Sequence, residues 1–153
     1  MASPEEIVQA ASEAFPAEVP AMTLRQGDAV DSYRAANETL PGAGDSPTDS
    51  YLESYHWGIA HLDAHSWKCY LPCLIRYAVR HCHDGSSLVI DAFLQSLRPP
   101  DREPPRLASL DKKQATVIVA ALDFLAFNKE SAHQDFALQV LEEYWIPNSL
   151  YPI

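Results

Sequence analysis

Four side chains of metal-ligating type recur every four residues in one predicted helix: His61, His65, Cys69 and Cys73. Histidine and cysteine are common zinc ligands, and all ligands of one zinc ion lie within about 2.3 Å of it. A helix rises about 1.5 Å per residue, so the first and last of these side chains lie about 18 Å apart. The chain also has no Cys-x-x-Cys and no His-Glu-x-x-His motif. The sequence therefore predicts neither a bound metal nor another cofactor.

The same segment offers a second kind of chemistry, a cysteine nucleophile activated by a histidine. Cys69 or Cys73 would lie about one helical turn from His65. Activation requires an electropositive and partly exposed thiol, whereas the apolar pattern around these cysteines is typical of a core. The sequence offers no alternative catalytic group. It has no Gly-x-Ser-x-Gly motif and no kinase signature set, and its neighbouring carboxylates are typical of solvated helix faces. We therefore expect no catalytic residue, and the alternative of a small metal-dependent or cysteine-dependent enzyme rests on these histidines and cysteines alone.

Charge provides the strongest indication of a partner. The chain has 11 Lys and Arg against 21 Asp and Glu, a formal net charge of -10, which repels nucleic acid and anionic lipid headgroups. A basic protein is the expected partner, and neither nucleic acid nor a membrane is. The predicted contacts are carboxylates beside a turn-rich loop and near the C-terminus: Asp45, Asp49, Glu53, Glu142 and Glu143.

Two further patterns predict a cytoplasmic location. Residues 1–15 lack a basic segment followed by an apolar run, and the longest apolar stretch, 115–127, is interrupted and shorter than the roughly 20 residues of a membrane span. The chain has three cysteines, all within fourteen positions. An odd number so close together does not indicate a disulfide framework. We interpret them as reduced thiols.

These side chains must be positioned by helices. At 153 residues with 47% hydrophobic residues, the chain is expected to form one domain, 1–153, with internal loops at 41–47 and 98–107. Ser3-Pro4-Glu5-Glu6 predicts a capped helix that ends near Phe15, before Pro16. A second helix is predicted to start at Asp28 and to run towards Leu40.

The middle of the chain predicts further helices. Asp63 can cap a helical segment within 51–83, where Pro72 predicts either a kink or two helices that meet near Tyr70-Leu71-Pro72. Ser86 is predicted to open an amphipathic helix whose core face carries Ile90, Phe93, Leu94 and Leu97. Four prolines and four charges predict an extended, partly polyproline-like loop after it.

The last third of the chain contains the most apolar helix. Asp111 is predicted to cap a helix over Lys112 to Phe127, which we expect at the centre of the bundle. A final helix is predicted from about Ala132 to Tyr144. The apolar tail 148–153 is expected to pack back on the domain, although a contact in an oligomer would also explain it. Together these patterns predict an all-α bundle of five to seven helices.

Several of these elements carry a resemblance to a known group of proteins. Trp57, the run Tyr70-Leu71-Pro72, and Leu107 to Leu110 followed by Asp111-Lys112-Lys113-Gln114 resemble the tryptophan, Tyr-Leu-Pro-Ala and Leu-Thr-Pro-x-Gln motifs of a small bacterial family of unknown function. The resemblance covers roughly residues 57 to 145. Cys73 replaces the alanine of that pattern, and Asp111-Lys112 replaces Thr-Pro.

The resemblance implies a structural role for these motifs and transfers no catalytic residue. Small acidic single-domain bacterial proteins without catalytic motifs are often similar in character to immunity proteins, which neutralise a toxin by binding it. The expectation that follows is a cytoplasmic immunity protein whose acidic surface occludes a basic toxin. A structural homodimer formed through the apolar tail is the other noncatalytic alternative.

Overall fold

The fold is all-helical. A computed structural model describes residues 1–15, 17–32 and 45–150, and within these ranges it contains seven α-helices and no strand. The predicted fold class and number of helices are confirmed. The helices are α1 (Pro4–Ala14), α2 (Leu24–Asp31), α3 (Asp49–Tyr55), α4 (Ala64–Arg80), α5 (Leu88–Gln95), α6 (Lys112–Phe127) and α7 (Gln134–Val140). Short segments add 3-10 turns at His56–His61 and Leu107–Ser109 and a π turn at Leu141–Trp145.

Side-chain caps start the predicted helices at the expected residues. Ser3 accepts a hydrogen bond from the Glu6 amide, and the Glu6 side chain accepts one from the Ser3 amide. Asp111 and Gln114 form the same reciprocal capping box at the start of α6, and Asp63 caps α4 through the amide of Ser66. These caps satisfy amide groups that have no partner within the helix. The predicted starts of α1, α4 and α6 are therefore confirmed.

The predicted start of the second helix is wrong. α2 begins at Leu24, because Thr23 and Gln26 form a capping box that the sequence interpretation missed. Gly27, the residue before the predicted start at Asp28, lies inside this helix and is buried. A Cβ atom at this position would lie 2.6 Å from the carbonyl oxygen of Gly58, so glycine permits close contact between α2 and the His56–His61 turn.

Pro72 does not divide the chain into two helices. It lies inside α4, which continues from Ala64 to Arg80, so of the two predicted alternatives, a kink or two helices meeting near Tyr70 to Pro72, the second is wrong. The break in the segment lies earlier, where the 3-10 turn ends at His61 and Asp63 starts α4. The next helix, α5, begins one residue later than expected, because Ser87 rather than Ser86 is its N-cap.

Helix α6 lies at the centre of the hydrophobic core, as predicted. It packs against α1, α4 and α7. Its inward residues are all buried: Val117, Ile118, Ala121, Leu122, Phe124, Leu125 and Ala126. Fully buried Trp67 on α4 and the predicted apolar face of α5 belong to the same core. Replacement of a large side chain here would leave a cavity.

The C-terminal helix is shorter than predicted. The α-helical part of α7 ends at Val140, and the chain continues as the π turn to Trp145. The tail returns far enough for the Leu150 amide to donate to the Glu142 carbonyl at 3.0 Å, but the Leu150 side chain is 73% exposed. Three predictions fall partly outside the described residues, which exclude 16, 33–44 and 151–153. They are the end of the first helix before Pro16, the end of the second helix with most of the 41–47 loop, and the last residues of the tail.

No helix in the described part of the chain is both long enough and apolar enough to span a bilayer.

Candidate functional site

The histidines and cysteines that recur every four residues have separate local partners. His61 Nε2 lies 3.0 Å from Asp31 Oδ1, and the buried Cys73 thiol donates to the Tyr70 carbonyl oxygen. Within 1–15, 17–32 and 45–150, no group of three or more His, Cys, Asp and Glu side chains is placed to hold one metal ion. The structure therefore does not bring His61 and Cys73 to a common centre, and the prediction that one helix carries all four side chains is wrong, because His61 lies on the 3-10 turn before α4.

His65 and Cys69 do lie together, with Glu18 on the other side of the imidazole. Cys69 Sγ is 3.7 Å from His65 Nε2, and Glu18 Oε2 is 3.4 Å from His65 Nδ1. However, His65 Nε2 lies closer, at 3.1 Å, to the carbonyl oxygen of Val19. A carbonyl can only accept, so in this contact Nε2 is the donor and is not turned to accept a proton from the thiol. Burial, with a contribution from Glu18, also raises the Cys69 pKa, which keeps the thiol protonated and weakly nucleophilic at neutral pH.

Two of the five predicted contact carboxylates are largely buried in ion pairs with arginines of the chain. Asp45 forms an ion pair with Arg25 at 2.9 Å and accepts a hydrogen bond from the Tyr51 hydroxyl, and its side chain is 8% exposed. Glu143, with a side chain 9% exposed, binds Arg98 at 2.8 Å. The hydrogen bonds from Arg98 lower the Glu143 pKa. Both carboxylates therefore stabilise the fold in this structure, a role that the sequence did not indicate.

The other two carboxylates near the loop lie on α3 and remain accessible. Asp49 Oδ2 is 3.0 Å from His81 Nε2, yet the Asp49 side chain is 43% exposed. Glu53, one turn further along α3, is exposed and accepts a hydrogen bond of 2.8 Å from the Tyr77 hydroxyl. We call this pair, Asp49 and Glu53, the α3 acidic face. Glu142 is also exposed, but it lies on a different element, the π turn.

A cleft that the sequence analysis missed lies beside the 3-10 turn that follows α3. Its volume is about 480 Å³, and its walls come from this turn, α5 and the 98–107 loop. Because three of the chain's arginines line it, Arg98, Arg102 and Arg106, we call it the arginine cleft. Trp57 and Leu88 form part of the apolar wall and are 55% and 53% exposed.

The 98–107 loop folds around a carboxylate and is not the extended polyproline-like segment that we predicted. Asp101 accepts hydrogen bonds of 2.8 to 3.0 Å from the backbone amides of Arg102, Arg106, Leu107 and Ala108. Burial raises the Asp101 pKa, but these four hydrogen bonds outweigh it and lower the pKa below its usual value. A single side chain therefore holds the loop in a compact turn.

Two arginines of the loop attach it to the 3-10 turn. Arg102 donates to the carbonyl oxygens of Ala60 and Leu62, and Arg106 donates to that of Ile59 at 2.6 Å. Arg106 is 5% exposed, and its guanidinium lies 5.2 Å from the centre of the Trp67 ring. Burial, and secondarily the charge of Arg102, lowers the Arg106 pKa to about 10. The cleft thus has a buried cation at its floor.

Local sequence patterns contain little that would have revealed this cleft. Arg102 and Arg106 belong to a proline-rich charged segment, which is typical of a solvated loop. One local feature could have indicated a compact turn: an aspartate, Asp101, within a proline-rich loop, because aspartate side chains often accept hydrogen bonds from nearby backbone amides in turns. Burial of Arg106 against Trp67 depends on a contact across 39 positions and has no local signature.

Replacement of Asp101 by asparagine should lower the stability of the protein in a pH-dependent way. Asparagine keeps one acceptor oxygen but turns an NH₂ group towards amide donors, so Asp101→Asn should lower the free energy of unfolding by about 1–3 kcal/mol near neutral pH. The folded pKa of Asp101 is below the unfolded value of about 3.9. Its stabilisation is therefore present above about pH 4 and is lost as the pH falls through the folded pKa.

Urea unfolding of wild type and variant at about pH 7 and about pH 3 measures this difference. The gap between the two proteins should shrink at the lower pH, and Glu103→Gln, a change at an exposed neighbouring carboxylate, should show no such gap. A gap that is equal at both pH values would contradict the assigned role of Asp101.

The fold and these contacts describe an all-helical protein with an acidic helix face and a cleft lined by arginines. A family model described as a family of unknown function, DUF6714, matches residues 3–149, and the chain belongs to that family. The match confirms the resemblance to a family of unknown function that the tryptophan and Tyr-Leu-Pro motifs indicated. No curated protein and no solved structure matches the chain.

Proposed function

We propose that this chain is a noncatalytic binding protein of the bacterial cytoplasm that neutralises a basic toxin by binding to it and occluding its active surface. The observation that carries the proposal is the α3 acidic face. Asp49 and Glu53 lie one helical turn apart and are accessible, and each contacts a side chain at the C-terminal end of α4, His81 just after the helix and Tyr77 within it. A net charge of -10 adds long-range attraction for a basic surface.

The contacts to Tyr77 and His81 make the α3 acidic face suitable for recognition. A flexible surface carboxylate loses side-chain freedom when it binds, and this loss opposes association. His81 and the Tyr77 hydroxyl already orient the two carboxylates, so less freedom remains to be lost. Complementary charge mainly increases the association rate and the discrimination between partners, both of which a protein that neutralises a toxin requires.

An aromatic side chain next to the α3 acidic face would supply the apolar part of the interface. Trp57 follows Glu53 by four residues, on the 3-10 turn that continues from α3, and is 55% exposed. Tryptophan is enriched among the residues that dominate binding energy in protein interfaces, usually surrounded by polar groups. Trp57 would therefore anchor the partner, with Asp49 and Glu53 at the rim.

Removal of both charges should weaken binding of the partner without loss of the fold. In Asp49→Asn/Glu53→Gln the new amide oxygens can still accept hydrogen bonds from His81 and Tyr77, so thermal stability should change little. The dissociation constant should rise by about tenfold or more, mainly through slower association, and its salt dependence should flatten. Asp45 is left unchanged, because loss of its ion pair with Arg25 would confuse stability with binding.

The experiment uses three immobilised proteins: wild type, this double variant, and a control, Glu5→Gln/Glu13→Gln, with the same charge change on exposed positions of α1. Each is exposed to a lysate of the encoding organism, and the basic protein retained by wild type is identified and its binding kinetics are measured. The proposal requires retention by wild type and control, with loss from the double variant. Equal retention by all three proteins would refute recognition through the α3 acidic face.

Neutralisation itself needs a separate test. A gene for a large toxin-bearing protein immediately upstream would identify the candidate target. Co-expression of that toxin domain with wild-type chain should restore bacterial growth, and the double variant should restore it less. Growth that is equally poor with and without the wild-type chain would contradict the immunity role, even if the two proteins bind.

A further inference from the structure

The arginine cleft differs in charge from the rest of this acidic protein. Five charged residues line it, three arginines and two aspartates: Arg98, Arg102, Arg106, Asp91 and Asp101. Arg98 binds Glu143 through two hydrogen bonds, whereas both oxygens of Asp101 accept backbone amides of the loop. Within the described part of the chain, no carboxylate forms an ion pair with Arg102 or Arg106.

Arg106 is poorly satisfied for a buried cation. A guanidinium has five N–H donors, but the hydrogen bond from Nη2 to the Ile59 carbonyl is the one that the described residues show for it, and the buried Nε has no partner among them. Burial of a charge without an ion-pair partner is unfavourable, and here it outweighs the favourable charges of Asp101 and Asp63 on the Arg106 pKa. The neighbouring positive charge of Arg102 adds to this, as the lowered pKa of Arg106 shows. An oxyanion in the cleft would relieve both effects.

The apolar residues of the cleft lining suit an apolar group. Trp57 and Leu88, which are 55% and 53% exposed, line it together with Ala60 and Ala92. An exposed indole provides a flat face on which another planar ring can stack. A volume of about 480 Å³ lies within the range of small-molecule sites, which typically combine apolar walls with a few polar groups.

We propose that the arginine cleft binds a small organic carboxylate with a planar apolar body, whose carboxylate contacts Arg102 and Arg106 while its ring packs against Trp57. A single negative charge fits this site better than a dianion, because Asp91 and Asp101 in the lining would repel the second charge. The site shares Trp57 with the partner interface proposed above, but it requires the arginines and not the α3 acidic face, so the Asp49→Asn/Glu53→Gln variant should bind the ligand as wild type does.

The binding test uses purified full-length protein and indole-3-acetate as the probe, with titration calorimetry as the measurement. Indole-3-acetamide has the same ring without the charge, and acetate has the charge without the ring. Wild type should bind indole-3-acetate at least about tenfold more tightly than either compound, and the bound carboxylate should raise the melting temperature. Equal affinity for the acid and its amide, or no binding of the acid at millimolar concentration, would overturn the proposal.

Two variants locate the probe. Trp57→Ala removes an exposed ring and Arg102→Gln removes a charge, and each should weaken binding of indole-3-acetate about tenfold or more, whereas Trp57→Phe should retain most of it. Arg80→Gln, at an exposed position on α4 outside the cleft, should bind as wild type does. If Arg102→Gln does not fold, the proposal is still tested by the comparison of Trp57→Ala with Trp57→Phe and by that of indole-3-acetate with indole-3-acetamide. Binding that is unchanged in Trp57→Ala would place the probe elsewhere and refute this site.

Discussion

The Leu122→Ala variant should unfold with a free energy about 2–5 kcal/mol lower than that of the wild type. Leu122 lies in the middle of α6 with no exposed surface, and α6 packs against three other helices. The smaller side chain would lose apolar burial and leave a cavity that the surrounding helices can fill only in part. Since a domain of this size is stabilised by about 5–15 kcal/mol, the change would remove a large fraction of the total.

Chemical denaturation followed by circular dichroism measures this loss. Leu138→Ala on α7 is a matched control, because it removes the same atoms from a side chain that is 37% exposed, and it should have a smaller effect. If Leu122→Ala were no more destabilising than this control, α6 would not be the centre of the core.

Replacement of Gly58 by alanine should destabilise the protein by about 2–3 kcal/mol, although it adds a single methyl group. A Cβ atom at Gly58 would collide with the Leu24 carbonyl and would lie 2.8 Å from the Asp28 amide nitrogen. Both are backbone atoms of α2, which cannot turn aside as a flexible side chain can. The variant must therefore separate α2 from the His56–His61 turn and lose contacts that this close approach permits.

Thermal and urea unfolding of Gly58→Ala test the expectation, and Gly85→Ala is the control. At Gly85 a Cβ atom would meet Ala132 Cβ at 3.4 Å, an ordinary contact, so this substitution should be close to neutral. Full stability of Gly58→Ala would show that α2 can shift at little cost. The tight packing of the two segments would then be incidental.

The features that could be predicted from the sequence are those that depend on contacts between residues close together in the chain. The starts of α1 and α6 could be predicted because each capping box joins residues three positions apart. Burial of Leu122 and its neighbours could be predicted because a helix apolar on most sides has no stable place at a surface. For α2 the local capping box of Thr23 and Gln26 was equally present in the sequence, but it was missed and the start was placed at Asp28.

The candidate sites were less predictable because distant contacts determine them. Gly27 is tolerated within α2 because Gly58, 31 positions away, approaches it. Asp45 and Glu143 looked like free surface charges until the fold brought Arg25 and Arg98 to them. The buried position of Arg106 likewise depends on Trp67, on another helix. Charge and spacing identified accessible carboxylates on α3 but not which charges the fold itself uses.

The Asp101-centred loop also indicates where members of this family can differ in length. The amides at 102 and 106–108 donate to the one carboxylate of Asp101. An insertion within 106–108 would therefore move some of these amides away from the carboxylate. The intervening residues 103–105 are exposed, and segments of this kind are where proteins most readily accept additional residues. Evolution can therefore lengthen the loop at its tip while the wall of the arginine cleft keeps its shape.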